Sequence, residues 1–155
     1  MYLVLVLDGY TKKIVGYDAG VPCTARHGLA ALDMAVSRQF PTGARAQGMS
    51  WMRDHGCQPT ALAVMKACRT WGIQPAFTSD NHPTGNAHTE RVRRTLTEAD
   101  LWRQEWTTRL ALIRALEVWM ADDNEHDLHS ALGYQSPRQF ERHDYHSHGT
   151  PFVAA

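Results

Sequence analysis

Cysteine is scarce in this chain of 155 residues: Cys23, Cys57 and Cys68 are the only three, and no two stand in a CxxC pair. An odd, unpaired set excludes a disulfide scaffold and a zinc knuckle and suits a reducing cytoplasm. An excess of either charge is also missing, since 16 Lys and Arg face 16 Asp and Glu. A neutral chain lacks the bulk electrostatic footprint of a nucleic-acid binder, so any affinity for DNA has to be local. No apolar stretch approaches the ~20 residues of a membrane-spanning helix. The opening run Tyr2 to Leu7 is far shorter and lacks the basic lead of a signal peptide. Internal repeats and low-complexity tracts are absent as well.

What is present is enough for one buried core and too little for two ordinary domains: 43% hydrophobic residues and five tryptophans. Tyr2-Leu3-Val4-Leu5-Val6-Leu7 is rich in β-formers without alternation, which predicts a central strand covered on both faces. Asp8 to Lys13 reads as a turn, and Ile14 to Tyr17 as the second arm of a hairpin. Leu29, Leu32, Val36 and Phe40 recur at helical spacing before Pro41 and Gly43. A short strand over 48–52, a helix through Ala61, Val64, Met65 and Cys68, and a strand over 73–78 make a βαβ-like unit. Turn formers fill 79–86, and Leu112, Ile113, Leu116, Trp119 and Met120 mark one face of a long amphipathic helix.

Residues 124–140 read NEHDLHSALGYQSPRQF. Neither a packed helix nor a solvated loop has a generic reason to spell HSALGYxSPxxF. The stretch resembles the segment that follows the catalytic core in bacterial insertion-sequence transposases with a retroviral-integrase-like core. Asn124, His129, Ser130, Ala131, Leu132, Gly133, Tyr134, Ser136, Pro137 and Phe140 match, while Asp127 and Leu128 replace the expected Arg-Pro. The same family separates the second and third acids of its DDE triad by the interval found here, with 35 residues between Asp54 and Glu90. The resemblance makes Asp54 and Glu90 the catalytic carboxylates and ligands of Mg²⁺ or Mn²⁺, which prefer hard oxygen donors. Departures are His55 in the SDNG-like context and Thr97 where a basic residue is usual.

The resemblance implies an α/β RNase H-like fold, a mixed sheet flanked by helices. In the family the first catalytic aspartate lies on a strand preceding the one that begins at Tyr2. The expectation is therefore a core over 1–123 lacking its first catalytic strand, the motif segment over 124–142 and an exposed tail over 143–155. With that strand gone, its neighbours either pair directly or leave two apolar edges open. The expected function is DNA cleavage and strand transfer in transposition, by a truncated chain inactive alone in a bacterial cytoplasm, near the nucleoid. Expected partners are DNA and a second copy or a full-length transposase. Asp8 is the remaining candidate for the third carboxylate, against a plain turn role.

Arg91, Arg93 and Arg94 form the tightest basic cluster, and Arg91 and Arg94 are candidate DNA contacts beside Glu90; a solvated helix face is the simpler reading. The tryptophans could stack on bases, though core packing is simpler. His143, His146 and His148 could capture Zn²⁺, against an exposed terminus. A different class of function, a non-catalytic protein that associates with DNA or a transposase, stands as the alternative.

Overall fold

The structure is a computed structural model, and it describes residues 2–21, 24–43, 48–53, 61–77, 91–92, 94 and 104–148. β1 (Tyr2–Leu7) and β2 (Ile14–Gly20) form an antiparallel hairpin with Tyr2 opposite Gly20 and Leu5 opposite Tyr17. α1 (Ala25–Gln39) follows, then β3 (Ser50–Arg53), α2 (Ala61–Trp71) and β4 (Gln74–Phe77). β3 and β4 are parallel, Ser50 beside Gln74 and Arg53 beside Phe77, so the βαβ reading of this stretch is borne out. Arg91, Val92 and Arg94 are helical. α3 (Arg109–His126), a short 3-10 turn (Ser130–Leu132) and α4 (Pro137–His148) complete the described chain.

β1 packs on both faces but is only half-buried, with Tyr2 exposed, and among the described residues it pairs on one side alone instead of lying centrally as expected. Leu3, Leu5 and Leu7 pack on a cluster of Ile14, Tyr17, Ala19, Val92, Leu112, Leu116 and Met120, while Val6 packs on a second cluster. That second cluster joins Leu32, Val36 and Phe40 of α1 to Met49, Cys68 and Ile73 around the parallel pair. Among the described residues β1 pairs only with β2, and β3 only with β4. The strands expected to form one mixed sheet thus make two separate ladders here, and of the two outcomes foreseen for the neighbours of the first strand, direct pairing is not the one seen.

α1 lies directly on β2 because β2 has no side chain at the crossing. A Cβ built on Gly16 would meet the Ala31 carbonyl oxygen at 2.1 Å and the Ala35 Cβ at 3.0 Å. Ala31 and Ala35 are themselves buried, so small residues on both elements allow the backbone contact. α3 starts at Thr108, whose side chain accepts from the Ala111 amide at 3.1 Å and satisfies one of the free donors of the first turn. Its stripe Leu112, Leu116, Met120 faces the hairpin.

The boundary expected at 123/124 falls inside α3, and the tail expected from 143 is helical through His148. Contacts to the hairpin turn explain the continuation: Tyr10 Oη donates to Asp144 Oδ1 at 2.8 Å, and Lys13 Nζ pairs with Glu141 at 2.7 Å.

Replacing Gly16 by Ala forces apart two backbones rather than two flexible side chains. The expected loss is about 1–3 kcal/mol of stability, the usual range for an overpacked core, read from urea unfolding. An unchanged midpoint would mean that α1 can slide without cost.

Candidate functional site

Asp54 and Glu90 lie outside the described residues, but the elements that flank them in sequence do not. β3 ends at Arg53, one residue before Asp54, on a parallel pair. Open α/β sheets bind ligands beyond the carboxyl ends of such strands. One residue past Glu90, Arg91 and Val92 are helical, and Val92 is buried among Leu112, Leu116 and Met120 of the α3 cluster.

The two candidate DNA contacts part company. Arg94 is exposed. Arg91 is half-buried, and its guanidinium donates to the Leu128 carbonyl at 3.2 Å. Its charge also acts on Asp123, which is buried at the last turns of α3 with 6% of its surface exposed. Burial, then the negative charge of the neighbouring Asp127 and a hydrogen bond between the two carboxyls, push Asp123 up to about 6, against a pull downward from Arg91. Sequence reasoning missed this carboxyl, whose shift depends on burial by distant elements. Arg91 thereby ties the segment next to Glu90 to the end of α3.

Asp8 has a turn to hold. Its Oδ1 accepts from the Tyr10 amide at 3.1 Å, and its Oδ2 from the Thr11 amide at 3.1 Å and from the Thr11 hydroxyl. Burial raises its pKa, opposed by these three bonds. Both oxygens are already engaged at the hairpin tip, which favours the structural role over metal ligation. Among the described residues no group of three or more His, Cys, Asp or Glu side chains is arranged to hold a metal. His143 Nδ1 contacts Gln135 Oε1 at 3.1 Å.

Most of the HSALGYxSPxxF motif does internal work. Asn124 bridges to the start of β2, its Oδ1 accepting from the Ile14 amide at 2.8 Å and its Nδ2 donating to the Ile14 carbonyl at 3.0 Å. The side chain thus imitates a neighbouring strand. His129 and Leu132 are buried, and a bridge joins His129 to Gln135. Ser136 and Gln139 form a reciprocal cap on α4: the Gln139 amide donates to Ser136 Oγ at 3.3 Å and the Ser136 amide to Gln139 Oε1 at 3.2 Å. Pro137 occupies the first helical position, where no amide is needed. Phe140 meets the Tyr10 ring edge-on at 5.4 Å.

A second polar cluster closes the far end of the hairpin. Asp18 contacts His27 Nδ1 at 2.8 Å and Arg109 at 2.5 Å, while Arg109 Nε donates to the Ala19 carbonyl. Burial pushes the Asp18 carboxyl up, but the bonds from His27 and Arg109 outweigh it and hold it below its ordinary value.

The integrase core domain model matches residues 71–137, a stretch that includes Glu90, Arg91, Arg94 and the motif through Pro137. Over that stretch the chain is similar to the integrase core domain. An insertion element IS136 protein of Agrobacterium tumefaciens (strain T37) is 25% identical over 146 residues, which is 90% of this chain and 73% of that protein. A putative transposase InsD of insertion element IS2E from Escherichia coli K12 is 28% identical over 108 residues, 70% of this chain and half of that protein. The chain superposes on the catalytic core domain of BIV integrase with a TM-score of 0.68 at 15% identity, covering 96% of this chain and 90% of that one. A chain of a simian T-cell lymphotropic virus intasome in complex with PP2A regulatory subunit B56 gamma gives the same score at 15% identity, over 99% of this chain and 51% of that one. The fold is RNase H-like, that of retroviral integrase catalytic cores. No helix among the described residues is long and apolar enough to cross a membrane.

The raised Asp123 makes this chain pH-sensitive in a defined direction. An acid that keeps its proton more tightly when folded stabilises the fold in acid, and that contribution fades as pH rises from about 4 through about 6. Asp123→Asn is expected to flatten this slope and to gain up to about 3 kcal/mol relative to the parent at pH 7, one pKa unit being 1.36 kcal/mol. Urea unfolding at pH 5 and pH 7 reads both; parallel curves for the two proteins would remove Asp123 as the cause.

Proposed function

We propose that this chain is a transposase-type catalytic domain acting on DNA by metal-dependent cleavage and strand transfer, with Asp54 and Glu90 as its metal-binding carboxylates and Arg94 as a phosphate contact. The observation that carries the reading is the position of the two acids. In sequence, Asp54 follows Arg53, which ends a parallel strand, and Glu90 precedes Arg91 and Val92, which are helical and docked on α3 inside the stretch similar to the integrase core domain. Two carboxylates offer the hard oxygen donors that Mg²⁺ or Mn²⁺ requires, so the donor set fits the cation class. When bound, a metal pair stabilises both the attacking and the leaving oxygen of an in-line phosphoryl displacement.

The protein's own contribution is placement and charge. Val92 and Arg91 fix the segment beside Glu90 against α3, and Arg94, three residues further on, stays exposed to meet a phosphate. Arg91 leaves the list of DNA contacts under this reading, because its guanidinium already serves Leu128 and the Asp123 site. The neutral chain then relies on a local cation beside the acids rather than on a basic surface.

Transfer of a labelled element-end oligonucleotide in Mg²⁺ or Mn²⁺ is the direct test. Glu90→Gln is expected to reduce strand transfer by at least about 10²-fold, the scale seen when a group stabilising the transition-state charge is removed. Transfer that survives Glu90→Gln would overturn the assignment. Arg94→Ala is expected to weaken DNA binding equally across sequences and to lower the salt slope by about 1, whereas Arg91→Ala leaves that slope unchanged. A slope unaltered by Arg94→Ala would take Arg94 off the DNA path.

A further inference from the structure

The end of α3 is crowded with acids. From 115 to 137 the chain holds Glu117, Asp122, Asp123, Glu125 and Asp127 and no lysine or arginine. A helix C-terminus carries a partial negative charge of its own, so acids are least favoured there. Three of the five are answered elsewhere: Asp122 contacts His126 Nδ1 at 2.9 Å, Glu125 pairs with Arg138 at 2.7 Å and Arg142 at 3.1 Å, and Glu117 accepts from the Tyr17 hydroxyl. The other two, Asp123 and Asp127, share a hydrogen bond between their carboxyls, and the cation that acts on buried Asp123 is Arg91, from the segment beside Glu90.

Arg91 reaches the end of α3 by geometry as well as by charge. Its guanidinium donates at 3.2 Å to the carbonyl of Leu128, just beyond His126, the last residue of α3. A guanidinium has donors enough to serve a carbonyl while its charge faces a carboxyl. Val92, the next residue, is 9% exposed and sits in the cluster of Leu112, Leu116 and Met120. Successive residues of a helix point about 100° apart. Val92 alone would fix how deep the segment sits and leave it free to roll; the second hold, at Arg91, fixes the roll. Any roll displaces residue 90 as well, since it is the adjoining link of the chain.

We infer that Arg91 is a positioning residue for the cation site: by holding the Leu128 carbonyl and facing the Asp123 and Asp127 pair, it sets the roll of the segment that follows Glu90 and with it the affinity of the site for Mg²⁺ or Mn²⁺. The inference rests on Glu90 being a cation ligand, as proposed above. A plain counter-charge for the acids of α3 behaves differently, because a counter-charge works from either element, whereas a hold on the segment works only from position 91.

Thermal unfolding in rising Mn²⁺ reads cation affinity and separates the two roles. The proteins are the parent, Arg91→Ala, Arg91→Lys, Glu90→Gln, and Arg91→Ala combined with Asp127→Arg, which returns a cation to the acid pair from the side of α3. Arg91→Ala is expected to lower the Mn²⁺-free midpoint and to weaken apparent Mn²⁺ affinity about 10- to 100-fold, the range for groups that orient a ligand without touching the metal. The double variant is expected to regain the Mn²⁺-free midpoint but not the affinity, and Arg91→Lys to regain part of both. Amide exchange over 91–94 without metal is expected to quicken in Arg91→Ala and in the double variant alike. Parental affinity in Arg91→Ala, affinity regained in the double variant, or unchanged exchange over 91–94 overturns the inference. If Glu90→Gln abolishes the Mn²⁺ response and Arg91→Ala leaves it intact, the role of Arg91 alone falls; a response absent from the parent, or one that survives Glu90→Gln, takes down the carboxylate reading and this inference together.

Discussion

The approach of α1 to β2 at Gly16 is the constraint on which the rest of the described structure depends. With a Cβ position 2.1 Å from the Ala31 carbonyl, the helix and strand touch backbone to backbone. Only that distance lets one helix serve two clusters: Met34 lies against the hairpin cluster, and Leu32, Val36 and Phe40 enter the cluster around the parallel pair. Since the two ladders share no strand pairing among the described residues, packing through α1 and β1 carries their relative placement. The carboxyl end of β3, and hence the start of the segment bearing Asp54, is positioned through this contact.

The second organising element is the motif that follows α3. Asn124 satisfies Ile14 as a strand would, Ser136 and Gln139 start α4, and α4 in turn grips the hairpin turn through Tyr10 and Lys13. These bonds close the chain on itself, joining residues more than 100 positions apart. The same region receives Arg91, so the segment beside Glu90, the end of α3 and the motif form one connected unit. A sequence signature that looks functional by its rarity is, in this fold, chiefly a fastening between α3, α4 and the hairpin.

Much of this was legible in the sequence. The Tyr2–Leu7 run indicated a strand, though one that is half-buried and not fully covered, and the spacing of Leu112, Leu116 and Met120 indicated the buried face of α3, because both depend on local periodicity. The motif pointed to a resemblance from residues alone, and the similarity to the integrase core domain and to insertion-element proteins agrees with it. Its mechanical role was not legible, since Asn124 acts on Ile14 only once the chain has folded. The bond of Arg91 to Leu128 and the raised pKa of Asp123 were hidden for the same reason: each is set by groups that sequence spacing does not bring together. The helical continuation beyond 143 was missed because its stabilising partners, Tyr10 and Lys13, lie at the other end of the chain.

The central claim is that Asp54 and Glu90 together make a divalent-cation site on this fold. Thermal unfolding in rising Mg²⁺ or Mn²⁺, for the parent chain and for Asp54→Asn with Glu90→Gln, tests it without requiring turnover. A ligand that binds only the folded state stabilises it by about 2.7 kcal/mol at a hundred times its dissociation constant. The account predicts a cation-dependent rise in midpoint for the parent and none for the double variant. Equal shifts in both proteins, or no shift in the parent at saturating cation, would contradict it.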